Sequence, residues 1–137
     1  MGVGKKLTMF CAGGAAYVCL ELLWRGRSHS SMFLAGGSCF MLLGRLGRCI
    51  KDPILRCIGS AAVITLVELI VGLLFNRRYK VWDYRAVPLN FKGQICLPYF
   101  LLWMPVGQLG IWIYKKFDSF LQLFTQKPLD KQGFLLV

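Results

Sequence analysis

An all-α, polytopic membrane protein is the fold class the sequence predicts, and three observations predict it. The apolar residues gather into runs of bilayer length instead of alternating with polar ones. Charge is scarce: 17% of the 137 residues are charged and 56% are hydrophobic. The surface of a small soluble domain needs more charge than that. The 17 Lys and Arg residues sit at the ends of the apolar runs, where membrane proteins keep them. In a soluble chain a net charge of +11 would point to nucleic acid. At the ends of spans it points to anionic lipid headgroups, so membrane lipids are the expected partner and nucleic acid is not.

Four transmembrane helices plus a C-terminal interfacial helix follow from the order of the runs, in a single unit covering 1–137. The first span, about 7–24, is interrupted only by Glu21 near its end. Ala12, Gly13, Gly14, Ala15 and Ala16 allow another helix to approach it closely. Lys5 and Lys6 resemble the start of a signal peptide, but no small-residue cleavage site in a polar region follows, so a retained helix is expected. The second span, about 31–46, has roughly a dozen strongly apolar residues before Arg45, fewer than the ~20 of an upright helix. Arg45 and Arg48 could snorkel to extend it, and a re-entrant segment bent at Gly36-Gly37 is the alternative. Asp52-Pro53 reads as the cap and first turn of the third span, about 57–76, which carries Glu68 past its midpoint.

The fourth span, about 95–114, contains Pro98 and Pro105, so kinks are expected. Trp103, Trp112 and Tyr114 suit headgroup depth. Residues 117–137 read as an amphipathic interfacial helix (Phe117, Phe120, Leu121, Phe124) followed by a tail. An even number of spans puts both termini on one face, and the distribution of Lys and Arg favours the cytoplasm for it. A faint repeat relates CLELLWRG to TLVELIVGL, and GGSCFMLL to GQICLPYFLL, as two helical hairpins of like orientation would.

The six cysteines do not form a disulfide framework: most lie inside apolar runs, where cysteine is a small packing residue. With no CxxC pair and one histidine, His29, no metal site is expected, and His29 reads as a solvated loop residue. Nucleophile elbows and phosphate loops are missing too, so no catalytic residue and no cofactor are assigned, and an enzyme is the weaker hypothesis.

Candidate binding residues cluster around the third loop. An ionised carboxylate in hydrocarbon is protonated, paired or facing water. Glu21 could pair with Arg25 one helical turn on, or could share a cavity with Glu68. Glu68 has no basic residue within a turn on either side, which favours a proton or cation site, with Arg25, Arg45 or an incoming cation as partner. Trp82-Asp83-Tyr84 either folds over the mouth of the bundle, with Asp83 binding a cation or Arg between aromatic walls, or forms an aromatic belt with a turn-forming Asp. Pro88, Asn90 and Gly93 shape the loop, and Gln94 enters the membrane needing a partner for its amide.

Several of these residues carry a resemblance. Glu21-Leu-Leu-Trp-Arg25-Gly26, Gly36-Gly37, Glu68, Trp82-Asp83-Tyr84, Pro88, Asn90, Gly93-Gln94-Ile95-Cys96-Leu97 and Leu102-Trp103 resemble the small bacterial membrane proteins of the putative ABC-transporter type IV, or CmpB-like, family. The likeness runs from about Tyr17 to Trp103 and is most specific in W-D-Y-x3-P-x-N-x2-G-Q-I-C-L. It implies a multi-pass protein of the bacterial inner membrane and a permease-like role. It marks Glu21, Arg25, Glu68, Trp82, Asp83, Asn90 and Gln94 as the site, without assigning their roles. No nucleotide-binding domain accompanies them.

The expectation is therefore a transport component for a small substrate, a cation if Glu68 binds it, working as a homo-oligomer or with another membrane or ATPase subunit. Two alternatives stand beside it. A membrane enzyme or lipid-headgroup-binding protein would use Arg25, Arg77 and Arg78 on a phosphate, with Asp83 or Glu68 as base. A non-transporting membrane subunit would dock a partner through its charged loops.

Overall fold

Each helix starts and stops where local chemistry requires it. The computed structural model describes residues 2–125. Helix α1 (Val3–Arg25) ends at Gly26, which takes a left-handed φ of 71° and returns its N–H to the Leu22 carbonyl at 3.0 Å. Helix α2 (Ser30–Cys49) is capped by His29, whose Nδ1 accepts the Ser31 N–H at 3.1 Å. The histidine expected to be merely solvated is thus a helix cap. Asp52 caps α3 (Pro53–Phe75) as expected, its Oδ1 accepting from Ile54 N at 2.9 Å and Leu55 N at 3.0 Å.

After a long loop, a two-stranded antiparallel ribbon pairs β1 (Asn90–Phe91) with β2 (Ile95–Cys96), in the register Asn90↔Cys96 and Phe91↔Ile95. Helix α4 (Leu97–Thr125) follows at once. Pro98 falls in its first turn, where a missing N–H breaks no helical bond, so the kink expected there has no cause. Pro105 does lie inside the helix.

The second segment is one unbroken 20-residue helix that continues through Gly36-Gly37, which fits the expected helix and not the re-entrant alternative. One further expectation changes. No separate interfacial helix begins at Phe117, because α4 runs on through Lys115-Lys116 to Thr125. Lysine is a good helix former and neither Gly nor Pro intervenes. The expected tail, 126–137, lies outside the described residues.

Helices α1 and α3 are each long and apolar enough to cross a membrane. Only 17% of the α1 window and 33% of the α3 window is buried. A soluble core helix would be mostly buried, so the apolar faces of these two point outward. Leu23 and Trp24 are 85% and 86% exposed, which carries the same meaning.

Close packing brings α1 against α2 and α3 against α4. Gly13 and Gly36 make the first contact possible: Phe40 lies on Gly13, and a Cβ on Gly36 would sit 2.5 Å from the Tyr17 Cβ and 3.0 Å from the Gly13 carbonyl. Gly107 receives Ser60 at the α3–α4 contact, and Gly44 receives Tyr114 between α2 and α4. Tyr114 is therefore buried against Phe40, with ring centroids 5.1 Å apart, and is not the headgroup anchor its sequence position suggested. Trp112 is exposed, as an anchor would be.

Candidate functional site

The long loop is held down by one asparagine. Asn76 closes α3, and its side chain is 1% exposed. Its Oδ1 accepts the Val81 N–H at 2.9 Å, and its Nδ2 donates to the Trp82 carbonyl at 2.7 Å and to Gln94 Oε1 at 3.0 Å. Gln94 Nε2 returns a bond to the Asn76 carbonyl at 3.0 Å. The two amides form a reciprocal clasp between the end of α3 and the strand that leads into α4, and every buried polar atom in it is satisfied. Trp82 Nε1 adds a bond to the Gln94 carbonyl at 2.9 Å.

Further along, Asn90 ties the loop to itself. Its Nδ2 donates to the Val87 carbonyl at 2.9 Å, and its Oδ1 accepts the Gly93 N–H at 3.0 Å. Gly93, at φ 66°, makes the turn between the strands, and its carbonyl accepts the Tyr84 N–H at 3.0 Å.

Burial alternates through Trp82-Asp83-Tyr84. Trp82 and Tyr84 turn inward and are 7% and 9% exposed. Asp83 turns outward to Arg85, which donates from Nε at 2.9 Å and from Nη2 at 2.7 Å. That guanidinium holds the Asp83 carboxyl below the usual carboxylate range. Arg85 also lies 4.1 Å from the Tyr79 ring centroid. Of the two partners expected for Asp83, a cation or an Arg, the structure therefore shows an Arg.

Glu68 is where the inward side chains converge. Tyr84 Oη donates to Glu68 Oε1 at 2.7 Å, and Trp103 Nε1 donates to Oε2 at 3.2 Å. Tyr99 stacks on Tyr84 at 4.7 Å between centroids and leans on Trp103 at 6.0 Å. Tyr99 and Trp103 are four residues apart on α4 and so share one face. No salt bridge among the described residues includes Glu68, so neither Arg25 nor Arg45 is its partner. Glu21 is different: it pairs with Arg25 at i+4, with Nε donating at 2.6 Å. Arg25 also donates from Nη1 to the Val81 carbonyl at 2.7 Å, fastening the loop to α1.

A cavity of about 490 Å³ opens beside these groups, walled mainly by apolar and aromatic side chains. Glu21, Arg25, Glu68, Trp82 and Tyr84 line it together, so five of the expected site residues meet. Asp83, Asn90 and Gln94 are not among its walls: the first faces outward and the other two hold the loop in shape. Tyr17, Tyr99 and Trp103 are also among its walls. The sequence carried a signal for the last two, an aromatic pair at i and i+4 on the helix facing Glu68, but Trp103 read as a headgroup anchor. Asn76 was missed because a polar residue at the end of an apolar run looks like an ordinary boundary.

Chemically, the cavity offers one carboxylate held by neutral donors and surrounded by the faces of tyrosine and tryptophan rings. Such a group can accept a proton or face a cation, and the rings add cation–π attraction.

Fold and site together define an all-helical protein with membrane-length apolar helices around an acidic, aromatic-lined cavity. The chain belongs to the family described as putative ABC-transporter type IV, whose model matches residues 9–135. The match extends beyond the Tyr17–Trp103 stretch at both ends. It supports a membrane and transport setting in general terms. Neither a curated protein nor a solved structure matches the chain.

Proposed function

We propose that this chain is a multi-pass transport component of the bacterial inner membrane, and that its cavity takes a small organic cation at Glu68. All four helices cross the bilayer in this reading, as one transmembrane unit with both termini in the cytoplasm. A 20-residue α2 is about 30 Å long, close to the thickness of the hydrocarbon core. Lys5 near the start of α1 pairs with Asp118 near the end of α4 at 2.7 Å, which favours an even number of crossings. A four-helix unit has little interior for a pathway, so a second copy, or another membrane or ATPase subunit, completes it.

The observation that carries the reading is the lack of a counter-charge at Glu68. Its oxygens have only a phenol and an indole as partners among the described residues, in a cavity with room for a ligand. A structural acid at this depth would have a cationic partner, as Glu21 has. Tetraphenylphosphonium, a permeant aromatic-binding cation, is a suitable probe. Purified protein should bind it, and Glu68→Gln should weaken binding at least about tenfold, the size of one lost charge interaction in a partly dry site. Equal affinity in the two proteins, with matching thermal stability, would remove Glu68 from substrate binding.

A further inference from the structure

A second hollow, of about 450 Å³, opens between the α1–α2 turn and the start of the long loop. Arg25, Arg27, Arg77, Arg78 and Lys80 line it, and no acidic side chain does. The acids of the described residues are engaged elsewhere. Glu21 holds Arg25, Asp83 holds Arg85, Asp118 holds Lys5, Asp52 caps α3 and Glu68 is bound by Tyr84 and Trp103. Arg27, Arg77, Arg78 and Lys80 thus converge without a counter-charge among the described residues. Like charges gathered in a concave wall repel, and an anion is what relieves them.

A second observation points the same way. Ser28 is one of the residues lining this hollow, and its hydroxyl, buried as the side chain stands, has no hydrogen-bond partner among the described residues. A buried hydroxyl left unbonded costs free energy that an oxygen-rich ligand would recover. Helix α2 also begins here, at His29, and presents the positive end of its dipole. On one side Leu74 and Phe75, 62% and 49% exposed, extend the rim as an apolar wall.

We infer that this hollow is a phosphate-binding site, in which the Arg27, Arg78 and Lys80 side chains and the Ser28 hydroxyl hold a phosphate group while Leu74 and Phe75 face any hydrocarbon attached to it. The phosphate comes either from a lipid headgroup or from solution, and the apolar wall suits the lipid. Arg25 lines both this hollow and the carboxylate cavity, but the inference stands whether or not Glu68 binds a cation.

Arg27, Arg78 and Lys80 make no side-chain hydrogen bond or ion pair among the described residues, so replacing them leaves the fold intact. The test uses the full chain in neutral detergent, with dihexanoyl phosphatidic acid and inorganic phosphate as separate probes in titration calorimetry. Arg27→Ala with Arg78→Ala should weaken phosphate binding at least about tenfold, and Ser28→Ala should weaken it by less. Arg45→Ala with Lys51→Ala, which removes the same charge from another part of the molecule, should leave it unchanged, and so should Glu68→Gln. Phosphatidic acid binding more tightly than inorganic phosphate assigns the lipid, and equal, competing affinities assign the free anion. The inference is overturned if neither probe binds, or if the Arg27/Arg78 pair changes binding no more than the Arg45/Lys51 pair.

Discussion

Replacing Asn76 with alanine should open the long loop, and the structure sets the size of the effect. The side chain has three firm partners: the Val81 N–H at 2.9 Å, the Trp82 carbonyl at 2.7 Å and Gln94 Oε1 at 3.0 Å. Val81, Trp82 and Gln94 are all buried, at 7%, 7% and 3% exposure. Each orphaned group costs about 1 to 3 kcal/mol, and the low end for all three already gives about 3 kcal/mol. Cys96 reports the opening, because it is 4% exposed and packs in the same cluster as Trp82 and Tyr84. Its alkylation must await loop opening, so a loss of about 3 kcal/mol should speed labelling roughly a hundredfold. Cys49, already exposed at the end of α2, is the internal reference and should react at an unchanged rate. Asn76→Asp should behave no better, since it loses the amide donor and buries a charge beside two acceptors. A rise in Cys96 labelling of less than about threefold would refute the clasp as the element that holds the loop.

Three further outcomes follow from contacts elsewhere. Trp103→Phe keeps an aromatic face, on a smaller ring, but removes the donor 3.2 Å from Glu68 Oε2, and should alter probe-cation affinity by a factor of about ten or less. Gly36→Ala places a methyl 2.5 Å from the Tyr17 Cβ and against the Gly13 carbonyl, and should lower stability by about 1 to 3 kcal/mol in thermal unfolding, because backbone cannot yield as a side-chain tip can. Asp83→Asn should leave cation binding unchanged, but it removes the ion pair to Arg85 and should already speed amide exchange around Arg85 at neutral pH. Arg85 lowers the Asp83 pKa in the folded state, so this pair supports the loop above the ordinary carboxylate range and loses its effect as pH falls through the lowered pKa. In the wild type, amide exchange around Arg85 should accelerate only at that acidic end.

The contrast between Glu21 and Glu68 shows what could be read in advance. Helix order, the Asp52-Pro53 start of α3 and the Glu21–Arg25 pair all depend on residues within a few positions of one another, and local rules reach that far. The boundaries of α4 were less legible, because hydropathy falls at Lys115 while helix propensity does not, and the backbone follows propensity. The division of labour inside the loop was least legible. Asp83, Asn90 and Gln94 looked functional for the reason that polar residues beside hydrocarbon usually do. Burial does not distinguish an amide that binds a ligand from one that binds its own backbone, and only the distances assign Gln94 to Asn76. Glu68 differs in kind. Its partners Tyr84 and Trp103 come from the loop and from α4, 16 and 35 residues away in the chain. Both are neutral donors, which orient a carboxylate without neutralising it. The clasp built by Asn76 and Gln94 fixes Trp82, two residues before Tyr84, and so holds in place the stretch of loop from which Tyr84 reaches the acid. The loop's own hydrogen bonds therefore determine the chemistry of the cavity, although three of the residues that shape it never touch it.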